Sequence, residues 1–327
     1  NRAVVEGLAL TSASVLGASY LANLLPWWRY DRPLLALLAI TVPLSLAVAG
    51  VASVAGRRRA KVDLSAGLVC AFVAAVLLVD LVTGASLQID SVGGYSPLVA
   101  GRFAGIGNVA FGVLAAAVLL ATAALARRAA AIVAVAVVTV LVDGAPTWGS
   151  DVGGVLALVP AFVLLTLLRT GRRGSLLRLG VALSAGLAVV VVLGLADWTR
   201  PTADRTHLGR FVQDVVNGTA GELLRRKADA VFGLLFLNFA TALIPVVVAA
   251  AIYLVLRPPP ALRTAFEQAP AWRHGLLALG VAGLLGFALN DSGAAVPALA
   301  AAVAVPATAA VAARARPPAD GGTAPVG

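Results

Sequence analysis

The stretch from Asp90 to Asn108 reads DSVGGYSPLVAGRFAGIGN and sets five glycines beside Tyr95, Arg102 and Asn108. Glycine permits positive φ and close backbone approach, so this segment can dip into a helical bundle with its amides turned toward a ligand. Arg102 has apolar neighbours, and an arginine at a membrane boundary is costly unless it is paired or meets an anion. Its planar fork suits phosphate or carboxylate. Tyr95, Arg102 and Asn108 are therefore candidates for binding an anionic substrate. The alternatives are a tight loop that closes the bundle and an ion pair from Arg102 to Asp90 or Asp151. The Gly-x-Gly follows no strand, which excludes a dinucleotide or P-loop reading.

Three further groups could do chemistry. Asp143 and Asp151 bracket a short turn, DGAPTWGSD, that brings two carboxyls to one rim. Paired acids can hold a divalent cation or divide acid and base work, and solvated or salt-bridged acids are the plainer reading. His207 stands in Arg205-Thr206-His207-Leu208-Gly209-Arg210, where it suits a general base or a phosphate contact beside Arg205 and Arg210. Its alternative is an interface histidine with no special role. With His274 and Cys70 the only other residues of their kind, no zinc site can be assembled from His and Cys, and no cofactor is assigned. Asn290 and Asp291 interrupt the last apolar hairpin as LNDSGAAVP. They either form a simple turn or, with Pro297 breaking the helix, line a cavity of the transporter kind. The candidate set is thus His207, Asp151 and Asp291 for catalysis, and Tyr95, Arg102, Asn108, Arg210 and Asn290 for substrate binding.

The elements that must position these residues are helices in a bilayer. Of 327 residues 60% are hydrophobic and 12% charged, with mean hydropathy +0.96, a balance that excludes a water-soluble enzyme. A spanning helix needs about 20 apolar residues. Ten such stretches can be drawn: 6–26, 33–55, 64–84, 107–126, 129–146, 152–168, 177–197, 231–256, 274–290 and 294–313. The expected fold is all-α, a polytopic bundle of about ten spans over residues 1–313, with outer loops at 85–106 and 198–230 and a flexible tail at 314–327. Leu208, Phe211, Val212, Val215 and Val216 follow the stripe of an amphipathic helix, expected either in the outer membrane interface or packed on its own bundle. Cys70, mid-span among apolar residues, reads as a small core residue.

Cationic clusters follow every second stretch, at 57–61, 127–128, 169–178, 257–273 and 314–316, and with Arg2 they hold 16 of the 25 Lys and Arg. Short loops rich in arginine stay in the cytoplasm, which puts both ends of the chain there, in a plasma membrane. Eleven of the fifteen acids fall on the opposite side; insertion does not require that asymmetry, so it marks where polar work is done. The net charge of +10 is thus a topology signal. No basic stripe with interleaved aromatics points to nucleic acid.

The phrases ANLLPWWR at 22–29, GYSPLVAGRFAGIGN at 94–108, DVGGVLAL at 151–158, THLGRF at 206–211 and LNDSGAAVP at 289–297 resemble the membrane region of uncharacterised bacterial, mainly actinobacterial, polytopic proteins. In those proteins an extracytoplasmic alkaline-phosphatase-like domain precedes the helices. The resemblance implies such a partner domain upstream, an expectation that fits a chain starting at Asn1 and lacking methionine. It carries over no phosphatase site, because the metal-binding residues of that domain have no counterpart here. Beyond membrane lipids, the expected partner is an anionic lipid-linked substrate. Three functions follow as expectations: the membrane half of an outer-leaflet enzyme for a phosphate-bearing or lipid-linked envelope substrate, a transporter or flippase for a similar substrate, and an anchor for the upstream domain.

Overall fold

In the computed structural model, residues 2–100, 105–171, 176–205, 207–219, 239–289 and 294–316 are described, with scattered positions between 221 and 233. Their helices are α1 (Arg2–Ala22), α2 (Pro33–Arg59), α3 (Leu64–Val82), the single turn α4 (Pro97–Ala100), α5 (Asn108–Leu125), α6 (Ala129–Gly144), α7 (Val152–Arg169), α8 (Leu176–Trp198) and α9 (His207–Val216). The chain continues through α10 (Phe239–Leu256), α11 (Pro260–Gln268), α12 (Pro270–Leu289) and α13 (Ala295–Arg314). A helix stands at each of the ten apolar stretches, as a bilayer demands of a backbone that must satisfy its own hydrogen bonds.

Among the described residues, by length and apolarity seven helices can cross a membrane, α1, α2, α3, α5, α7, α12 and α13, and eight if α10 and α11, bent by 61° at their junction, count as one span. The chain is an integral membrane protein with several crossings. The helix α6 has 16 residues.

The core is built around α5, which is apolar on every side and buried at each residue from Ala110 to Ala124. A helix hydrophobic all round belongs inside, and α3, α7, α12 and α13 pack around this one. Small residues set the spacing, because lipid tails give apolar helices little reason to associate and close van der Waals approach must hold them. A Cβ on Gly67 would lie 2.6 Å from that of Ala124, one on Gly275 would lie 2.8 Å from that of Ala123, and one on Gly112 would run into the Val296 carbonyl. Toward lipid, α2 exposes Leu34, Leu35, Leu38, Val42, Leu46, Val51 and Val54. Cys70 is fully buried in the core.

The two ends of the bundle differ. At one end Arg314 Nη1 donates to Glu6 Oε1 (2.7 Å) and to Ser65 Oγ (2.8 Å), Arg2 Nη1 to the Ala315 carbonyl, Lys61 to that of Ala124, and Arg169 Nη2 to that of Ala126. These contacts gather the cationic turns at 2, 57–61, 127–128, 169 and 314–316 at a single arginine end. Arg314 closes α13 and is paired with Glu6; of the expected tail at 314–327, residues 317–327 lie outside the described residues.

Candidate functional site

The opposite, acidic end is organised by three aspartates. Asp80, Asp143 and Asp197 stand in the last turns of α3, α6 and α8, each after an apolar run, and each is at most 1% exposed. A carboxylate at a helix C-terminus meets the negative end of the dipole, and burial adds a desolvation cost, so each needs strong donors.

Asp80 finds them in the loop that follows. Its Oδ1 accepts the Leu87 amide (2.8 Å) and its Oδ2 accepts Gln88 Nε2 (3.0 Å), while Gln88 Oε1 accepts the Gly107 amide (3.2 Å). Tyr20, fully buried at the end of α1, donates its hydroxyl to the Gly93 carbonyl (2.6 Å), and Asn23 Nδ2 donates to the carbonyls of Leu87 and Ile89. The glycine-rich loop is thus pinned across the ends of α1 and α3. Several of its amides, expected to face a ligand, are already spent: Tyr95 N on Gln88 O, Ile106 N on Gly149 O and Gly107 N on Gln88. The Tyr95 ring lies against Gly107, with its hydroxyl 3.4 Å from the Gly105 carbonyl. Asn108 is half-buried as the first residue of α5.

Asp143 and Asp151 meet next to this loop. The turn between them folds back so that the Asp151 amide donates to the Asp143 carbonyl (2.9 Å) and the Gly149 amide to that of Val142 (2.8 Å). Ser150 takes φ +52° and Gly105, which packs on Gly149, takes φ +84°; both lie in the left-handed region that tight close approaches use. Asp143 is 0% exposed and Asp151 4%. A Cβ on Gly154 would meet Asp143 Oδ2 and lie 2.7 Å from both Asp151 Oδ2 and Phe111 Cε2. Since both carboxylates touch the place of one missing methyl group, their oxygens are about 5 Å apart at most. Only glycine leaves that room. The Phe111 ring also reaches Gly286, which brings the acidic end of α12, and the start of α13 at Val296, beside the acid pair.

Asp197 builds a separate cluster. Its Oδ2 accepts the Gly209 amide (2.7 Å) and its Oδ1 pairs with Arg200 Nη1 (3.0 Å), so it satisfies an orphan donor in the first turn of α9. Trp198 Nε1 and Arg205 Nη1 both donate to Gln213 Oε1, and the Arg205 guanidinium lies 5.8 Å from the Trp198 ring centroid. Leu208 is buried, Val212 touches Gly194 of α8, and Val215 and Val216 are exposed. The amphipathic helix therefore forms where its stripe predicts, with one half of the stripe on α8 and the other half uncovered.

Of the sequence-derived set, the structure brings together Asp151, Tyr95 and the start of α5 at Asn108. Arg210 is exposed on α9, and His207 is the first residue of α9, its side chain outside the described part. That helix packs on α8. Arg102, Asn290 and Asp291 lie outside the described residues. Sequence reading missed the work of Asp80, Gln88, Tyr20 and Asn23. The signal for Asp80 was available, an acid inside the apolar run LLVDLV, whereas nothing about Gln88 distinguishes it from an ordinary loop residue. Among the described residues no three His, Cys, Asp or Glu side chains come together as a metal site. No protein family, curated protein or solved structure matches the chain.

Proposed function

We propose that this protein is the membrane half of an outer-leaflet enzyme that handles a phosphate-bearing or lipid-linked envelope substrate, with the acidic end of the bundle facing outward. The observation that carries this reading is the convergence of Asp143 and Asp151 over Gly154. Two carboxyls that close can divide acid and base work or hold a cation between them. Either arrangement is what transfer at a phosphoester needs: a group that can take a proton and return it, with positive charge nearby. Arg102 stands three positions before Gly105 in the chain and is assigned the substrate's anion. Tyr95 and Asn108 form the wall that the pinned loop presents. Asn290 and Asp291 lie in the chain between Leu289 and the start of α13 at Ala295, and the proposal assigns them to the same site. His207 and Arg210 sit on α9, which docks on α8, and the proposal gives them the substrate's more distant polar parts.

The second half of the proposal is the alkaline-phosphatase-like domain upstream, suggested by the resemblance. It would share the outward face with the acid pair. The test is a lipid analysis of a strain lacking the gene, complemented with wild type, Asp151→Asn or Arg102→Ala. The expected result is a changed pool of one phosphate-bearing or lipid-linked species that wild type restores and the two variants, present at normal levels in the membrane, do not. Restoration by both variants would remove the acid pair and Arg102 from the reaction; an unchanged lipid pool in the deletion strain would end the enzyme reading.

A further inference from the structure

At the arginine end the termini of α3, α5, α7, α11 and α12 surround a cavity of about 350 Å³, lined by Lys61, Asp63, Arg127, Arg169, Gln268 and the 269–271 turn. Three cations face one carboxylate there. Part of this charge has structural work. Lys61 Nζ is 3.4 Å from Asp63 Oδ1 and donates to the Ala124 carbonyl, and Arg169 Nη2 donates to the Ala126 carbonyl at 2.9 Å. Both therefore complete the last carbonyls at the C-terminal end of α5, where cations also suit the dipole.

That work leaves a surplus. Asp63 offsets one of the three charges. Arg169 Nε is buried without an acceptor, and Arg127 is exposed and makes no hydrogen bond or ion pair among the described residues. One turn into α12 from the cavity wall, His274 Nδ1 is also buried with no partner. Native structures rarely leave buried polar atoms unfilled, so the Arg169 Nε–H calls for an unseen acceptor, while His274 Nδ1 donates or accepts according to its tautomer and calls only for a polar partner. A planar carboxylate offers two oxygens to one fork. Donors arriving from three separate helix ends suit a tetrahedral oxyanion with three terminal oxygens and a charge of about −1 to −2.

We propose that this cavity binds a phosphate group, carried either by a phospholipid headgroup or by a soluble phosphate compound. Its position favours either source, because basic pockets between helix ends meet both the headgroup layer and the adjoining water. The site lies at the opposite end of the bundle from the acid pair and stands or falls independently of the function proposed there.

The experiment uses the full chain, purified in detergent and stripped of lipid, with native mass spectrometry reading the retention of dioleoylphosphatidylglycerol against dioleoylglycerol, which lacks the phosphate. A second arm titrates inorganic phosphate by calorimetry. Arg127→Ala removes a side chain that makes no hydrogen bond or ion pair among the described residues, so the variant should fold as wild type does; Arg169→Gln is the second variant, and thermal melting checks both. Phosphatidylglycerol retained over dioleoylglycerol, with affinity about tenfold weaker in each variant, supports the site with a lipid as its source. Phosphate binding weakened to the same degree supports it with a soluble source. Binding of either probe that the two folded variants leave unchanged, or no binding of either, overturns the proposal.

Discussion

At the scale of single residues the acidic end works through carboxylates that accept hydrogen bonds from loops. Asp80 has a sharp consequence, because the chain Asp80, Gln88, Gly107 has a fixed direction of donation. In Asp80→Asn one amide oxygen can still accept the Leu87 N–H, but the new NH₂ then faces Gln88 Nε2. Gln88 must rotate its amide, and the Gly107 N–H loses its acceptor. An orphaned buried amide costs about 1–3 kcal/mol. The expected outcome is faster hydrogen exchange across 84–107 with the exchange of α3 and α5 unchanged; equal exchange in both regions would show that Asp80 does not hold the loop. Gly154→Ala tests the acid pair in a similar way. Its methyl group has no room between Asp143 Oδ2 and Asp151 Oδ2, and overpacking of this kind costs about 1–3 kcal/mol. A lower melting temperature is expected, with Gly7→Ala, where nothing lies within 4 Å, as a control. The acid pair was legible in the sequence because a turn of seven residues separates its members, and chain connectivity alone keeps them close. The Asp80 to Gln88 link was not, since which polar loop residue reaches back to a buried acid depends on a loop path that hydropathy does not encode.

At the scale of elements, apolarity located the helices and hydrogen bonding set their ends. The stretch drawn at 33–55 ends where arginines begin, yet α2 runs on to Arg59, because the i to i−4 ladder continues into water. The stretch drawn at 6–26 includes Leu24 and Leu25, but α1 stops at Ala22 in a turn ahead of Pro26, which fixes its own φ and restricts the residue before it. Helix α12 starts at Pro270 rather than 274, with proline in the first turn, where its missing N–H costs nothing. Helix packing carries its own prediction at Gly112. A Cβ there meets the Val296 carbonyl of α13, a backbone group that cannot swing aside, so Gly112→Ala should separate α5 from α13 and lower the melting temperature more than Gly50→Ala, where nothing lies within 4 Å. The docked helix α9 gives another. Ten residues are too few to be helical alone in water, so α9 depends on Asp197 and the α8 contact. Asp197→Ala removes a charged acceptor worth about 1.5–3 kcal/mol. Hydrogen exchange over 207–216 should rise about tenfold or more, and an unchanged rate would assign the helix's stability to Leu208 and Val212 instead.

For the whole molecule, the separation of charge along the bundle decides how the chain sits in the bilayer, and α6 is where that reading is most exposed. Sixteen residues rise about 24 Å, short of the roughly 30 Å of hydrocarbon. Yet α6 leads from the exposed Arg128 at the arginine end to Asp143 at the acidic end, and local thinning or snorkelling of flanking residues can absorb such a mismatch at modest cost. If all ten stretches cross, Arg128 and Thr170 share the cytoplasmic side, while Val92, Trp148 and Val215 share the outer one. All five positions are exposed, and the only native cysteine, Cys70, is buried, so single cysteines introduced in a Cys70→Ala background report cleanly. A maleimide that cannot pass the membrane should label Val92→Cys, Trp148→Cys and Val215→Cys in intact cells, and Arg128→Cys and Thr170→Cys only after permeabilisation. Labelling of Trp148→Cys from inside would make α6 and α7 a hairpin that does not cross, and would put the acid pair at the wrong face for an outer-leaflet substrate. Labelling of Val92→Cys and Val215→Cys from opposite sides would break the acidic end into two unrelated surfaces, since the Asp80 loop and the Asp197 helix can share one substrate only if they share one aqueous phase.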